Sequence, residues 1–348
     1  MPPYSLVPTE AVCPACTRTD GRVLYTVTSE QAAQHYVLRE VHPQRNADLA
    51  RVIERLWGGQ TCRVVQCAAC EFCFSDPYVA GDAEFYTLAY ERTGYPVWKW
   101  EFEQTRTAIG RLLPTLGPAP ALLEVGAGNG AFVRTVVPNL FARADVLCTE
   151  FSEYGAREIE GLGVACERVD VRTLGANVWG GRFAVVCLFQ VLEHLDGLDD
   201  LFDQLTQLTT ATGHVFIAVP NERRIEFDEQ HGSLLDMPPN HVGRWTRESF
   251  AAISARHGWR LADHAVEPVS GIADLVGFAT FRYMRRRQDP GSAANWVERQ
   301  PRAVRRPLQA LTAGIYGLSS LPAMAKIVRS SGLGGSQWAH LEKVSSVS

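Results

Sequence analysis

The sequence has little net charge: 34 lysines and arginines against 38 aspartates and glutamates leave −4 at neutral pH. No global field therefore draws the chain to nucleic acid or to an anionic membrane. Long hydrophobic runs are also missing. The nearest, Leu308 to Ile327, is interrupted by Gln309, Thr312, Ser319, Ser320 and Pro322, so no membrane span is expected. Residues 1–10 lack the basic-then-apolar pattern of a secretion signal, which makes a cytoplasmic protein the expectation. There is no internal repeat and no low-complexity tract. Cysteine, by contrast, is plentiful, with nine residues. In a reducing compartment these bind metal or sit buried rather than pair as disulfides.

Four of them form two pairs, Cys13-Pro-Ala-Cys16 and Cys67-Ala-Ala-Cys70. Each pair can present two thiolates from one knuckle, and two knuckles complete a tetrahedral Zn²⁺ site. The gap between them exceeds the roughly 15–20 residues of a compact ribbon. Within it, Ser29 to Trp57 reads as helical, with Leu49, Val52, Ile53 and Leu56 on one face of its second half. Residues 1–85 thus read as a zinc-ribbon-like module with a helical insertion. A closed four-thiolate site leaves no open position, so the metal is structural. Cys70 and Cys73 make a further Cys-x-x-Cys, and Cys62 reads as a buried thiol. Residues 81–101 are rich in aromatics: Phe85, Tyr86, Tyr90, Tyr95, Trp98 and Trp100. They are expected to pack the small domain on the large one, with one or two tyrosines touching a ligand. Trp100 to Leu116 follows as a helix, completing a linker and lid over 86–118.

From residue 119 the pattern alternates between strand and helix. Strands are expected at 120–125, 144–149, 164–168, 183–189 and 213–219, and helices at 129–138, 152–161, 197–210 and 247–258. That is the signature of a doubly wound α/β sheet, here spanning 119–270. Arg260 to Glu267 and Gln337 to Val344 can add an antiparallel hairpin at the sheet edge, the second within 336–348. Between them, the helical insertion 271–335 carries Arg282, Arg285, Arg286, Arg287, Arg299, Arg302, Arg305 and Arg306 against Asp289 and Glu298. Such a run is first a solvated helix face. The second reading is a site for an anionic substrate, a partner or a membrane surface, and the insertion is also a candidate homodimer contact.

Leu122 to Phe132 reads as a buried strand running into Gly126, Gly128 and Gly130. Gly126-x-Gly128-x-x-Ala131, with Glu150 about 20 residues on, fits the dinucleotide fingerprint, so the glycines alone leave NAD open. Glu124 precedes the first glycine, Gln190-Val-Leu-Glu193-His194 follows the fourth strand, and Gly213 to Asn221 supplies a fifth. With these elements in order, residues 122–221 resemble the class I S-adenosylmethionine-dependent methyltransferases. The resemblance implies a Rossmann-like, seven-stranded, doubly wound sheet. It implies that Gly126, Gly128 and Gly130 form the cofactor loop, with Glu124 orienting that loop and the cofactor's ammonium. Glu150 is then the acceptor for both ribose hydroxyls, Asp170 the contact for the adenine amino group, and Phe189 and Gln190 lie beside the sulfonium. The run Cys67-x-x-Cys70-x-Phe-x-Phe-x-x-Pro77, after the first pair, resembles the zinc-ribbon start of a subgroup of these enzymes. That implies Cys13, Cys16, Cys67 and Cys70 as the ligands, with Glu71 where the pattern commonly has glycine.

Methyl transfer is an in-line displacement that needs an aligned nucleophile and, for a hydroxyl, a base. His194 is the candidate base, with Glu193 orienting it. His241 follows in Pro238-Pro239-Asn240-His241, ahead of a helix N-capped by Thr246. The two histidines are also similar to those of the small-RNA 3′-end 2′-O-methyltransferases, which bind a divalent metal through Glu-x-x-Glu-His and a later His. Here Gln190 replaces the first glutamate and removes a charged ligand. The expectation is therefore methyl transfer to oxygen or carbon of a small molecule, of a specialised or sugar type, with His194 and His241 as acid/base or positioning groups without metal. The alternatives are a metal-dependent RNA-end methyltransferase, a non-catalytic cofactor-binding module and, last, a dehydrogenase. Nucleic acid is not the expected partner.

Overall fold

The structure, a computed structural model, describes residues 6–90, 94, 97–231 and 236–344. Tyr95 of the aromatic stretch and the tail 345–348 lie outside the described residues. Within them, the larger sheet contains β5 (Ala121–Val125), β6 (Val146–Thr149), β7 (Ala165–Glu167), β8 (Phe183–Phe189), β9 (Thr209–Pro220), β11 (Trp259–Val266) and β12 (Ser336–Lys343). A smaller sheet contains β1 (Val7–Thr9), β2 (Gly21–Thr28), β3 (Thr61–Cys67), β4 (Cys73–Asp76) and β10 (Gly243–Arg244).

The order in the larger sheet is β11-β12-β9-β8-β5-β6-β7. The five strands from β9 to β7 are parallel, and β12 is antiparallel to both β9 and β11. All residues of β5 and β8 are buried. Strands buried along their whole length, as the unbroken apolar run of β8 is, belong in a parallel sheet covered on both faces. Helix Trp100–Leu112 contributes Phe102 and Ile109 to one cover, and helix Leu198–Leu208 contributes Leu201, Phe202 and Leu205 to the other. From β5 the chain winds outward through β6 and β7, then returns to β8 and winds the other way. The carboxyl ends of β5 and β8 therefore flank the switch point, where open α/β sheets bind ligands.

The helix expected at 129–138 shrinks to Val133–Val136. Val137 is extended because Pro138 follows it, and a proline disfavours helical backbone in the residue before it. The helical stretch 29–57 divides into Ser29–Tyr36 and Pro43–Trp57. Pro43 again accounts for the break, since it is tolerated in a first turn but excludes His42 before it.

The small sheet takes β10 from residues assigned by sequence to the core, with Gly243 opposite Phe74 and Arg244 opposite Cys73. Phe72 and Phe74 share one apolar cluster with Leu198, Trp245 and Phe250. The expected boundary at 85/86 also falls inside helix Ala83–Ala89. A buried ion pair reinforces the junction. Arg244 donates to both carboxylate oxygens of Glu229 at 2.9 and 2.6 Å and to the Tyr25 hydroxyl at 2.6 Å.

Insertion 271–335 forms helices Ile272–Arg286, Ala293–Glu298, Arg302–Leu318 and Leu321–Arg329. Its basic run is not one solvated face. Arg286, Arg299, Arg302 and Arg306 are exposed, whereas Arg282 and Arg305 are half-buried and donate to the carbonyls of His231 and Glu298. No single helix among the described residues is long and apolar enough to cross a membrane.

Candidate active site

β5 delivers the chain into the glycine loop. Gly126 has φ +64°, and a Cβ there would lie 2.6 Å from Val191 Cγ2. A side chain is excluded on both counts. The Glu150 carboxylate straps the loop: one oxygen accepts from Gly128 N at 2.9 Å and the other from Ser152 N at 2.8 Å. Helix Glu153–Glu160 comes so close that a Cβ on Gly155 would sit 2.4 Å from the Gly128 carbonyl oxygen. Gly130 faces Ile159 and Leu162 instead, so it packs the loop onto that helix.

Glu124, the last residue but one of β5, is buried, and its Oε2 has no hydrogen-bond partner among the described residues. Burial pushes its carboxyl up to about 8, opposed by Lys99 and assisted by Glu150. An orphaned buried carboxylate oxygen is costly unless a donor meets it. Phe189 packs against Phe102 and Phe132 at the end of β8. Gln190 adopts φ +58°, a left-handed conformation rare for a side-chain-bearing residue and often found at functional sites. Its amide donates to Glu101 Oε1 at 3.1 Å and Ser336 Oγ at 3.2 Å. Lys99 Nζ lies 3.8 Å from the same Glu101 oxygen. Asp170 is engaged differently: Arg172 donates to it through backbone N, Nε and Nη2 at 2.8, 3.0 and 2.6 Å. Those bonds hold its carboxyl below the usual carboxylate range.

Beyond β8 the two histidines meet. Their rings are edge to face with centroids 4.6 Å apart. His194 Nδ1 donates to the Asn240 carbonyl at 2.7 Å, with the Tyr86 hydroxyl 3.1 Å from the same nitrogen. Its Nε2, 3.9 Å from Glu193 Oε1, is thereby the lone-pair nitrogen. Burial, with help from His241, pushes His194 down to about 3 and leaves it neutral. His241 is opposite in character. Burial works against its charge, but the 2.8 Å hydrogen bond to Asp236 and that carboxylate's charge outweigh it and raise its pKa. Glu193 is buried and driven up to about 7, chiefly by burial, and its Oε2 is unpartnered among the described residues. The His241 segment is clamped from two sides: Val242 N donates to the Glu193 carbonyl at 2.9 Å, and Ser75 N donates to the Val242 carbonyl at 2.9 Å.

The four paired cysteines also converge. All four sulfurs lie within 4.8 Å of one another, with Cys13–Cys70 at 3.6 Å and Cys16–Cys67 at 3.5 Å. Tetrahedral zinc with Zn–S near 2.3 Å separates its sulfurs by about 3.8 Å, so the donor set fits. The two knuckles share a backbone pattern: Thr17 N donates to the Cys13 carbonyl at 2.8 Å and Glu71 N to that of Cys67 at 3.0 Å. Thr17 and Glu71 both have positive φ, +64° and +58°, which is why glycine suits the Glu71 position. Cys73 packs instead among Leu24, Tyr25 and Val64, away from the cluster. None of the nine cysteines is in a disulfide.

Sequence reasoning missed Asp236, Asn240, Lys99, Glu101 and Ser336. These residues lie far from the motifs or on loops without periodicity. Tyr86 falls within the aromatic stretch from which one or two ligand-facing tyrosines were expected. A cavity of about 480 Å³, lined in part by Tyr25, Gln34, Met237 and Arg285, shares no lining residue with the glycine loop or the two histidines. The convergence of buried titratable groups makes the switch-point crevice the candidate site.

Residues 97–264 match the model of a family described as a methyltransferase domain. Among solved structures, an S-adenosylmethionine-dependent methyltransferase from Archaeoglobus fulgidus is similar at 15% identity, covering 70% of this chain and 94% of that one with a TM-score of 0.42. A geranyl diphosphate C-methyltransferase from Streptomyces coelicolor A3(2) is similar at 12% identity, 75% and 78% coverage and a TM-score of 0.41. A putative sarcosine dimethylglycine methyltransferase from Galdieria sulphuraria is similar at 9% identity, 71% and 92% coverage and a TM-score of 0.43. No curated protein matches the sequence. With the strand order above, the fold is the Rossmann-like, seven-stranded class I methyltransferase fold expected from the sequence.

Proposed function

We propose that the methyltransferase domain of residues 97–264 uses S-adenosylmethionine to methylate oxygen or carbon of a small-molecule acceptor, with His241 as general base. The observation that carries this reading is the Asp236–His241–His194–Glu193 constellation at the carboxyl end of β8, across the switch point from the glycine loop. The orphaned Glu124 oxygen suits the ammonium of the cofactor's amino-acid part. Glu150 brings a carboxylate to the glycine loop, and a carboxylate's two oxygens suit a ribose diol. Asp236 fixes the tautomer of His241 and raises its basicity, as an orienting carboxylate does. His194, neutral and held by Asn240, is the positioning acceptor for the substrate's O–H or enol rather than the base. Tyr86 is the aromatic wall from the N-terminal module. Asp170 meets the adenine amino group only in competition with Arg172.

Calorimetric titration tests the cofactor. S-adenosylmethionine is expected to bind one per chain and NADH not at all; the reverse preference overturns the reading.

Zinc at Cys13, Cys16, Cys67 and Cys70 is part of the same proposal, as a structural ion. Its knuckle leads into β4, which pairs with β10 and holds the His241 segment through Ser75. Metal analysis is expected to find about one zinc per chain, lost in Cys67→Ser together with thermal stability. A folded, metal-free wild-type protein would contradict it.

One observation favours a second reading. Glu193, His194 and His241 bring a carboxylate oxygen and two imidazole nitrogens within 4.8 Å, a donor set suited to a divalent metal. Both histidines also have the carbonyl or carboxylate partner on Nδ1 that metal-bound imidazoles use. A bound metal would act as a Lewis acid toward the acceptor oxygen. Gln190 is turned away toward Glu101 and Ser336 and supplies no fourth ligand. Turnover that survives removal of all metal except the cysteine-bound zinc supports the base reading; strict dependence on an added divalent ion supports the second.

A further inference from the structure

Helix Arg302–Leu318 has one face packed and one face bare. Ala313 and Tyr316 lie against the cluster of Tyr283, Ala294 and Val297, and Gly317 lies on Ala279. At 100° per residue the opposite face carries Val304, Leu311, Ile315 and Leu318, all exposed, Leu311 at 62% and Leu318 at 68%. The exposed apolar surface continues in the sequence with Leu321 and Val328 of the next helix, and Ile272 and Val276 are exposed on helix Ile272–Arg286. Concentrated exposed aliphatic surface of this kind marks an interaction site.

Charge identifies what fits it. No aspartate or glutamate occurs between Glu298 and Glu342, while Arg299, Arg302, Arg305, Arg306, Lys326 and Arg329 do. The chain as a whole is acidic, so this cationic segment is a local segregation rather than a reflection of composition. A second copy would set these cations against their own kind. A groove for a partner helix is also not what is offered, because the stripe lies on the outer face of a helix. Helices Arg302–Leu318 and Leu321–Arg329 reach the apolarity of a membrane segment only together, and they are bent by 77°. Such a pair lies along a surface instead of crossing it. Aliphatic residues on one face, with arginines such as Arg302 and Arg306 on the other, are the pattern of interfacial helices on anionic lipid.

We propose that the insertion 271–335 is a docking surface for an anionic lipid bilayer, with Val304, Leu311, Ile315 and Leu318 entering the headgroup–acyl boundary and the excess of cations in the segment drawing it to the anionic surface. None of the four stripe residues is among those that build the switch-point crevice, so the inference stands apart from the acceptor and the metal.

Co-sedimentation of the full chain with vesicles tests it. Binding is expected to vesicles of phosphatidylcholine mixed with phosphatidylglycerol, to weaken with added salt, and to be far weaker on phosphatidylcholine alone. Arg299→Gln, Arg302→Gln and Arg306→Gln together are expected to weaken binding by about fivefold per charge. Leu311→Glu with Leu318→Glu is expected to abolish it. All five side chains point to solvent, so unchanged melting temperature and S-adenosylmethionine affinity in both variants establish that the fold is intact. Absence of binding to the anionic vesicles overturns the proposal. Equal binding by the leucine variant does so too. A concentration-dependent dimer of the wild type, dissolved by the leucine variant, also overturns it by assigning the stripe to self-association.

Discussion

Asp236→Asn is expected to lower methyl transfer by about a hundredfold or more, on any acceptor the wild type methylates, while leaving S-adenosylmethionine affinity nearly unchanged. The reason lies in the 2.8 Å bond from His241 Nδ1 to Asp236. With the carboxylate present, the imidazolium is stabilised and His241 titrates above the ordinary histidine value. A base must be neutral to act, so wild-type activity is expected to rise with pH through that raised pKa. The amide substitution removes the stabilising charge, which moves the rising limb to lower pH and weakens the base at once. His241→Ala is expected to lose the limb altogether. His194→Ala should lower turnover without moving the limb, because His194 is already neutral across the physiological range. An unmoved profile in Asp236→Asn would remove His241 from the role of base.

Glu150→Ala is expected to weaken S-adenosylmethionine binding by about a hundredfold, read by calorimetry. Hydrogen bonds to a charged acceptor contribute about 1.5–3 kcal/mol each, and Glu150 accepts through both of its oxygens. Its loss has two components. The ribose loses its acceptor, and the glycine loop loses the bonds that tie Gly128 and the turn at Ser152 together. Glu150→Gln keeps one acceptor oxygen and is expected to fall between. Wild-type affinity in the alanine variant would sink the cofactor site as drawn.

The core of the fold was legible because its strands are apolar runs with sharp ends. Phe183 to Phe189 is a strand over its full expected length. The cysteine set was legible too: Cys70 joins the cluster and Cys73 turns into the small-sheet core. Local chemistry hid the rest. Pro138 shortened a helix that its apolar neighbours suggested. β10 is two residues long and carries no periodicity, so nothing in the sequence announced that the His241 segment is stitched to the small sheet. Asp236 stands five residues before its partner in an irregular segment, where an acidic residue reads first as surface. Lys99 and Glu101 come from the start of a helix nearly ninety residues before Gln190, and only the folded chain brings them together. The sequence named both histidines and made His194 the candidate base; the carboxylate partner of His241 and the backbone partner of His194 favour His241 instead.

A crystal structure with S-adenosylhomocysteine tests the central claim most directly. The account requires the ribose hydroxyls on Glu150, the amino group against Glu124 and the sulfur directed toward His194 and His241. A nucleoside bound elsewhere, or a sulfur facing away from the two histidines, would contradict it.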